Sequence, residues 1–197
     1  MNEELYAKII DALVDDGYIL LEEALPQELL SRLTHYATTS TNYKSAGISN
    51  AQNFHIDTTK RRDKTEWIDE DGSLFSQYLS FCEGLRISLN RSLYLGLTYY
   101  EAHFARYEKG DFYEKHLDAF FGSKNRVVTT VLYLNEAWQE DNGGELLLYE
   151  EDTKVIERVV PKAGTLVVFL SDKFPHEVLP AKVKRHSIAG WFRVDRR

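Results

Sequence analysis

The chain has 197 residues, 43% of them hydrophobic and 13% aromatic, enough for one sizeable core and too few for two large domains. Its 28% charged content is that of a soluble protein, and no stretch approaches the roughly 20 consecutive apolar residues of a membrane span. A net charge of −7 speaks against a nucleic-acid partner, and the one basic run, "KRRDK" at 60–64, is equally well explained as a solvated loop.

The start, "MNEELYAKIIDAL", is acidic and amphipathic where a secretory signal would be basic and then continuously apolar, so no export address is expected. Leu5, Ile9, Ile10 and Leu13 recur at helix spacing, "GYILLEEAL" suggests a short strand, and "PQELLSRLTHYAT" is a second helix opened by Pro26. Residues 44–66 are polar and aperiodic, which predicts a long loop or loose hairpin of the kind that often carries function. Residues 73–93 give the longest amphipathic helix. It contains Cys82, the single cysteine, which cannot form an internal disulfide and fits a reducing, cytoplasmic home.

From Tyr99 onward the chain turns to short β-rich runs, from "YYEAHFARY" through "RVVTTVLYLN", "GELLLYE", "KVIERVV", "TLVVFL" and "HEVLPA" to "RHSIAGWFRV". "DNGG" at 141–144 carries Asn-Gly, a tight-hairpin signal. The expected fold is mainly β with N-terminal helices (α+β). One domain spans 1–197, with helical support and the 44–66 loop in 1–95 and a β-barrel or jelly roll in 96–197.

"FYEKHLDAFFG" at 112–122 raises the chemical question. In a strand, residues i and i+2 share a face, so His116 and Asp118 point together. They supply two vertices of the two-histidine, one-carboxylate triad that holds non-haem Fe(II), and a histidine is needed for the third. His176, in "KFPHEVLP", is well placed, and His186 is the next choice. In "RHSIAGWF" the strand period sets Arg185 and His186 on opposite faces. An Arg185 facing the interior is a buried cation that needs an anion, and its planar fork suits a carboxylate-bearing cosubstrate. The same parity puts Tyr133 on a face with Thr129 and Val131, where its phenol can add a hydrogen bond. The plain alternative is a histidine–aspartate pair inside a core. A second H-x-D, His55 and Asp57, has no following strand to hold it and is set aside. His103 is expected to face the barrel without ligating, and His35 to lie on a helix surface.

At this point the sequence resembles the Fe(II)- and 2-oxoglutarate-dependent dioxygenases, and within them the prolyl hydroxylase domain proteins of the oxygen-sensing type and their bacterial relatives. The matching pieces are "RRDKTEW", "ARY", "YEKHLDAF", "VLYLNEAW", "NGGELLLY", "FPHEVLPA" and the Arg185-to-Trp191 strand. The resemblance implies a double-stranded β-helix (a cupin-like jelly roll). It puts iron on His116, Asp118 and His176, the 2-oxoglutarate carboxylate on Arg185 with Tyr133, and pocket walls at Tyr107, Tyr113 and Trp191. It makes 44–66 a mobile loop over a protein substrate, with Arg61 and Asp63 as a loop salt bridge or substrate contact. The implied cofactors are Fe(II), 2-oxoglutarate and O2, with ascorbate as an accessory reductant.

The implied reaction is 4-hydroxylation of a prolyl residue in an exposed protein loop, with elongation factor Tu as a candidate, releasing succinate and CO2. The implied enzyme is a cytoplasmic monomer with no nucleic-acid or membrane partner. Asp118 argues against halogenation, whose enzymes vacate the carboxylate site. Ala189 stands where animal relatives carry threonine, which bears on oxygen reactivity, and a C-terminal helix beyond Trp191 is not expected. The rival readings are a non-catalytic cupin-like module that binds metal or a carboxylate, a dioxygenase acting on a non-prolyl substrate, and a zinc hydrolase. Zinc explains the triad but leaves Arg185 without an anion.

Overall fold

A computed structural model describes residues 2–50, 53–55, 57–69, 75–119, 125–151 and 153–194, with backbone only at 2, 48–50 and 53–55. Three helices, α1 (Asn2–Asp15), α2 (Gln27–Thr39) and α3 (Ser76–Leu93), are interleaved with five strands: β1 (Tyr18–Leu21), β2 (Lys44–Ser45), β3 (Ile48–Asn50), β4 (Asn53–His55) and β5 (Lys64–Trp67). Eight more follow: β6 (Tyr99–Tyr107), β7 (Tyr113–His116), β8 (Arg126–Tyr133), β9 (Leu146–Glu150), β10 (Lys154–Val159), β11 (Leu166–Leu170), β12 (His176–Val178) and β13 (Arg185–Arg193).

The helices form where the apolar spacing puts them. Ile9 and Leu13 are buried, with Leu5 and Ile10 packed against the same core. Pro26 caps α2 in an extended conformation, where its missing N–H leaves no helical bond unmade. α3 stops at Tyr94 in the left-handed region, and the Asn90 side chain closes the turn by donating to Leu97 O (2.8 Å) and accepting from Leu97 N (2.7 Å).

Antiparallel pairing builds a seven-stranded sheet in the order β1-β11-β8-β13-β6-β5-β2 and a four-stranded sheet in the order β10-β9-β12-β7. Period-2 alternation in the larger sheet serves two cores at once. One face, with Phe104, Val128, Leu132, Val168, Ile188 and Phe192, packs on the helices through Leu33, Phe81, Leu85 and Leu89. The other face, with Ala105, Tyr107, Val131, Tyr133, Val167 and Phe169, meets Leu146, Leu148 and Val178 of the smaller sheet. This is the helix-backed jelly roll expected from the sequence. On the helix side Tyr100 crosses beneath Gly190 and its hydroxyl joins Tyr78 (2.9 Å) and Thr130 (2.8 Å), so a Cβ at Gly190 would sit 2.1 Å from that hydroxyl.

Two local expectations change. The polar stretch 44–66 is a loose hairpin of β3 and β4 flanked by β2 and β5, which add to the edge of the larger sheet because backbone pairing needs no apolar pattern. "DNGG" makes no hairpin: β8 and β9 belong to different sheets, and the segment is a crossing between them. Gly143 and Gly144 both take φ of +68°, which lets Gly143 bridge to Ala181 and Gly144 offer its carbonyl to Arg185 Nε at 2.9 Å. Among the described residues no helix is long and apolar enough to cross a membrane.

Candidate metal centre

β7 and β12 are neighbours in the smaller sheet, and His116 pairs directly with His176 across the ladder. The strand ends at His116, so Asp118 shares its site by a bend and not by strand alternation. The bend is pinned by Ala119 N, which donates to Ser171 O at 3.4 Å, and by Thr129 Oγ1, which donates to Asp118 Oδ2 at 2.8 Å and is bonded to Ser171 Oγ at 2.8 Å.

The ligand atoms of His116, Asp118 and His176 lie within 4.8 Å of one another, and no other such group occurs among the described residues. His116 Nδ1 donates to Glu114 O (2.8 Å) and His176 Nδ1 to Phe174 O (3.1 Å). Because a carbonyl only accepts, each Nε2 is left with its lone pair, the atom a metal uses. Asp118 Oδ1 is 3.8 Å from His116 Nε2, and its Oδ2 is 3.5 Å from His176 Nε2, gaps too long for strong hydrogen bonds and suited to an ion between. Burial, with His176 close by, holds the His116 imidazole neutral well below its usual range. Burial would raise the Asp118 carboxyl, yet the adjacent imidazoles and Arg126 outweigh it and keep it ionised. Two neutral imidazoles and a carboxylate are a donor set for Fe(II), so the residues fit that metal.

A cavity of about 1250 Å³ contains this site and also touches Arg61, Asp63, Tyr107, Tyr113, Arg185 and Trp191. Arg185 is 1% exposed. Its Nε donates to Gly144 O and its Nη1 to Ser187 Oγ (3.2 Å), and its Cζ lies 4.7 Å from the Tyr107 ring centroid and 5.1 Å from that of Tyr133. Among the described residues no carboxylate pairs with it, so the buried cation is open to an anion that enters the cavity, as a dicarboxylate cosubstrate would. Tyr133 sits beneath the guanidinium, wholly buried, with a hydroxyl that has no hydrogen-bond partner. Burial pushes that hydroxyl up to about 12, against the pull of Arg185.

Tyr113 stacks on His116, centroids 3.7 Å apart, and Arg61 lies 4.2 Å over the Tyr113 ring. Arg61 and Asp63 form a two-pronged pair, Nε–Oδ1 2.8 Å and Nη2–Oδ2 2.6 Å, with Asp63 buried. Trp191 lines the opposite wall under Arg126, whose Cζ is 3.8 Å from the ring.

His186 lies off this cavity, buried with its Nε2 unpartnered, as the opposite parity from Arg185 requires. His35 is exposed. Asp57 accepts from Thr59 N and Oγ1 within its own turn, while the His55 side chain lies outside the described residues. Sequence reasoning did not single out Thr129, Ser171 or Ser187 as supports. Thr129 and Ser187 were legible as members of the inward parity, whereas Ser171 follows β11 in a turn that no pattern marks.

Residues 102–193 match the family model described as the 2OG-Fe(II) oxygenase superfamily. The chain is 38% identical to a solved Pseudomonas putida prolyl-4-hydroxylase, with a TM-score of 0.87 over 97% of this chain and all of that one. It is 29% identical to a Trichoplax adhaerens prolyl hydroxylase solved with a peptide of the hypoxia-inducible factor oxygen degradation domain, with a TM-score of 0.85 over 98% and 90% of the two chains. It is also 39% identical over 85 residues to a Caenorhabditis elegans hypoxia-inducible factor prolyl hydroxylase, a match that spans 42% of this chain and 12% of that relative's length.

Proposed function

Because the chain belongs to the prolyl hydroxylase-type 2OG-Fe(II) oxygenases, we propose that it couples oxidation of 2-oxoglutarate to 4-hydroxylation of a prolyl residue in a protein substrate. The observation that carries the reading is the meeting, in one cavity, of His116, Asp118 and His176 with Arg185, a buried cation that no carboxylate of the described chain neutralises.

Fe(II) bound by the three ligands supplies activation of dioxygen, one oxygen atom going to the prolyl carbon and the other to succinate as CO2 is lost. The chain's own residues do the placing. Arg185, set by Gly144 O and Ser187, takes the distal carboxylate of 2-oxoglutarate, and the Tyr133 hydroxyl beneath it is free to bond the same group. Tyr107 closes the wall beside the guanidinium. Thr129 holds Asp118 in its ionised, ligating form. Tyr113, backed by the Arg61–Asp63 pair, and Trp191, covered by Arg126, narrow the space beside the metal and exclude water from it.

Elongation factor Tu is the first substrate to test. The reading treats residues 1–197 as one catalytic unit, a monomer in the cytoplasm, where the lone Cys82 stays reduced, and ascorbate belongs in the assay as reductant. Incubation with cell lysate or purified elongation factor Tu, Fe(II), ascorbate and 2-oxoglutarate is expected to add one oxygen to a proline, detected by mass spectrometry. A gain on another residue type with prolines clean would remove the prolyl assignment, and activity supported by zinc alone would remove the oxygenase.

A further inference from the structure

His103 is 5% exposed and lines the cavity, yet its Nδ1 has no hydrogen-bond partner. Its ring is wedged between two indoles, edge-on to Trp67 (centroids 5.0 Å) and tilted on Trp191 (5.4 Å). Burial and the nearby Arg61 hold the imidazole neutral, down to about 4. A buried polar group left open is costly, so such groups in native proteins generally meet a partner in some state of the molecule.

The strand register locates it. Trp67, His103, Ala189, Val131 and Val167 are successive cross-strand partners, forming one row across the inner face of the larger sheet. The row beside it on one side holds Ser187 and Tyr133, next to Arg185, and the row on the other side holds Trp191 and Thr129, next to Asp118. The middle row therefore runs between the carboxylate anchor and the metal ligands. It begins at Trp67, 53% exposed at the rim, and ends in fully buried Val167. His103 is the one residue of that row with a hydrogen-bonding group beyond the rim. The charged groups around it are already engaged: Arg61 with Asp63, and Arg126 with Glu101.

We propose that His103 is a substrate-binding residue, which donates a hydrogen bond to a main-chain carbonyl of the polypeptide as it enters over Trp67. A neutral imidazole carries one N–H, and a prolyl residue, having no N–H of its own, offers only a carbonyl. The flanking indoles cover the apolar faces of such a segment. The contact rests on the prolyl reading above and adds to it the group that reads the peptide main chain.

The test measures turnover with a library of blocked short peptides that share a fixed central proline. His103→Phe keeps an aromatic ring between the indoles and removes the donor. Its kcat/KM for peptide is expected to fall about fivefold to tenfold, the worth of one hydrogen bond, with KM for 2-oxoglutarate within about twofold of wild type. His103→Gln, which restores an N–H, is expected to regain much of the loss. Should the phenylalanine variant not fold, His103→Gln compared with His103→Leu reads the same bond. Unchanged peptide kinetics in the donor-less variant, or a matching rise in KM for 2-oxoglutarate, would overturn the contact. A wild-type enzyme that consumes 2-oxoglutarate but hydroxylates no member of the library would instead overturn the prolyl reading, and the contact with it.

Discussion

The imidazole rings of His116 and His176 lie 4.3 Å apart because their backbones are paired directly across β7 and β12. Register thus fixes two metal ligands without help from side-chain packing, and only Asp118 depends on a side-chain support. Removal of Asp118, as Asp118→Ala, is expected to weaken divalent-metal binding more than 100-fold, while Thr129→Val, which removes the bond that orients the carboxylate, costs on the order of 10- to 100-fold. Anaerobic titration with Mn(II) reads both, and a Thr129→Val enzyme with unaltered affinity would show that the bend alone places Asp118.

Arg185→Ala is expected to raise KM for 2-oxoglutarate at least 30-fold, about 2 kcal/mol or more, because it removes one partner of a desolvated ion pair. Arg185→Lys should recover only part of this, since an ammonium cannot reproduce the fork held between Gly144 O and the open side. Metal affinity should stay within about twofold. Parallel titrations of metal and cosubstrate separate the two effects.

Asp63→Ala should lower stability by about 3–5 kcal/mol, because Arg61, close to buried over Tyr113, would lose its only ion-pair partner among the described residues. Urea unfolding measures it. Arg61→Met with Asp63→Leu together should cost less than Asp63→Ala alone, since no uncompensated charge then remains.

Gly190→Ala should destabilise by about 1–3 kcal/mol or more, because the new methyl meets the Tyr100 hydroxyl in the middle of β13. Combining it with Tyr100→Leu, which vacates that space, should recover part of the loss in thermal melting. A freely tolerated Gly190→Ala would mean that Tyr100 can swing aside from Tyr78 and Thr130.

Two histidines away from the metal ligands make stability depend on pH. Burial brings His103 and His186 from 6.5 to about 4, so between about 4 and 6.5 the unfolded chain binds protons that the folded one refuses. Stability therefore falls on acidification through that window, with a limiting slope of about 1.4 kcal/mol per pH unit for each histidine. Melting temperature against pH should be flatter for His186→Gln than for the parent, and equal slopes would show that His186 reaches water when protonated.

Much of the fold and site was legible in the sequence because it rests on period. Helix spacing gave the three helices, and alternation assigned Arg185, Tyr133 and Thr129 to the inward face and His186 to the other. Proximity is where the sequence stopped. Asp118 stands beyond the end of β7, so its place beside His116 comes from a bend held by Thr129 and Ser171, residues distant in the chain. "DNGG" carries the local signature of a hairpin, yet its glycines turn the chain from one sheet to the other, and hydrogen bonding across sheets overrides the local preference. The polar stretch 44–66 becomes strands because an open sheet edge supplies backbone partners that no side-chain pattern announces. The sequence by itself determined which side chains face inward, since that follows from backbone geometry repeated every two residues or every turn. Only the tertiary structure decided which of them meet, since register between distant strands sets His116 against His176 and leaves His103 open between two indoles.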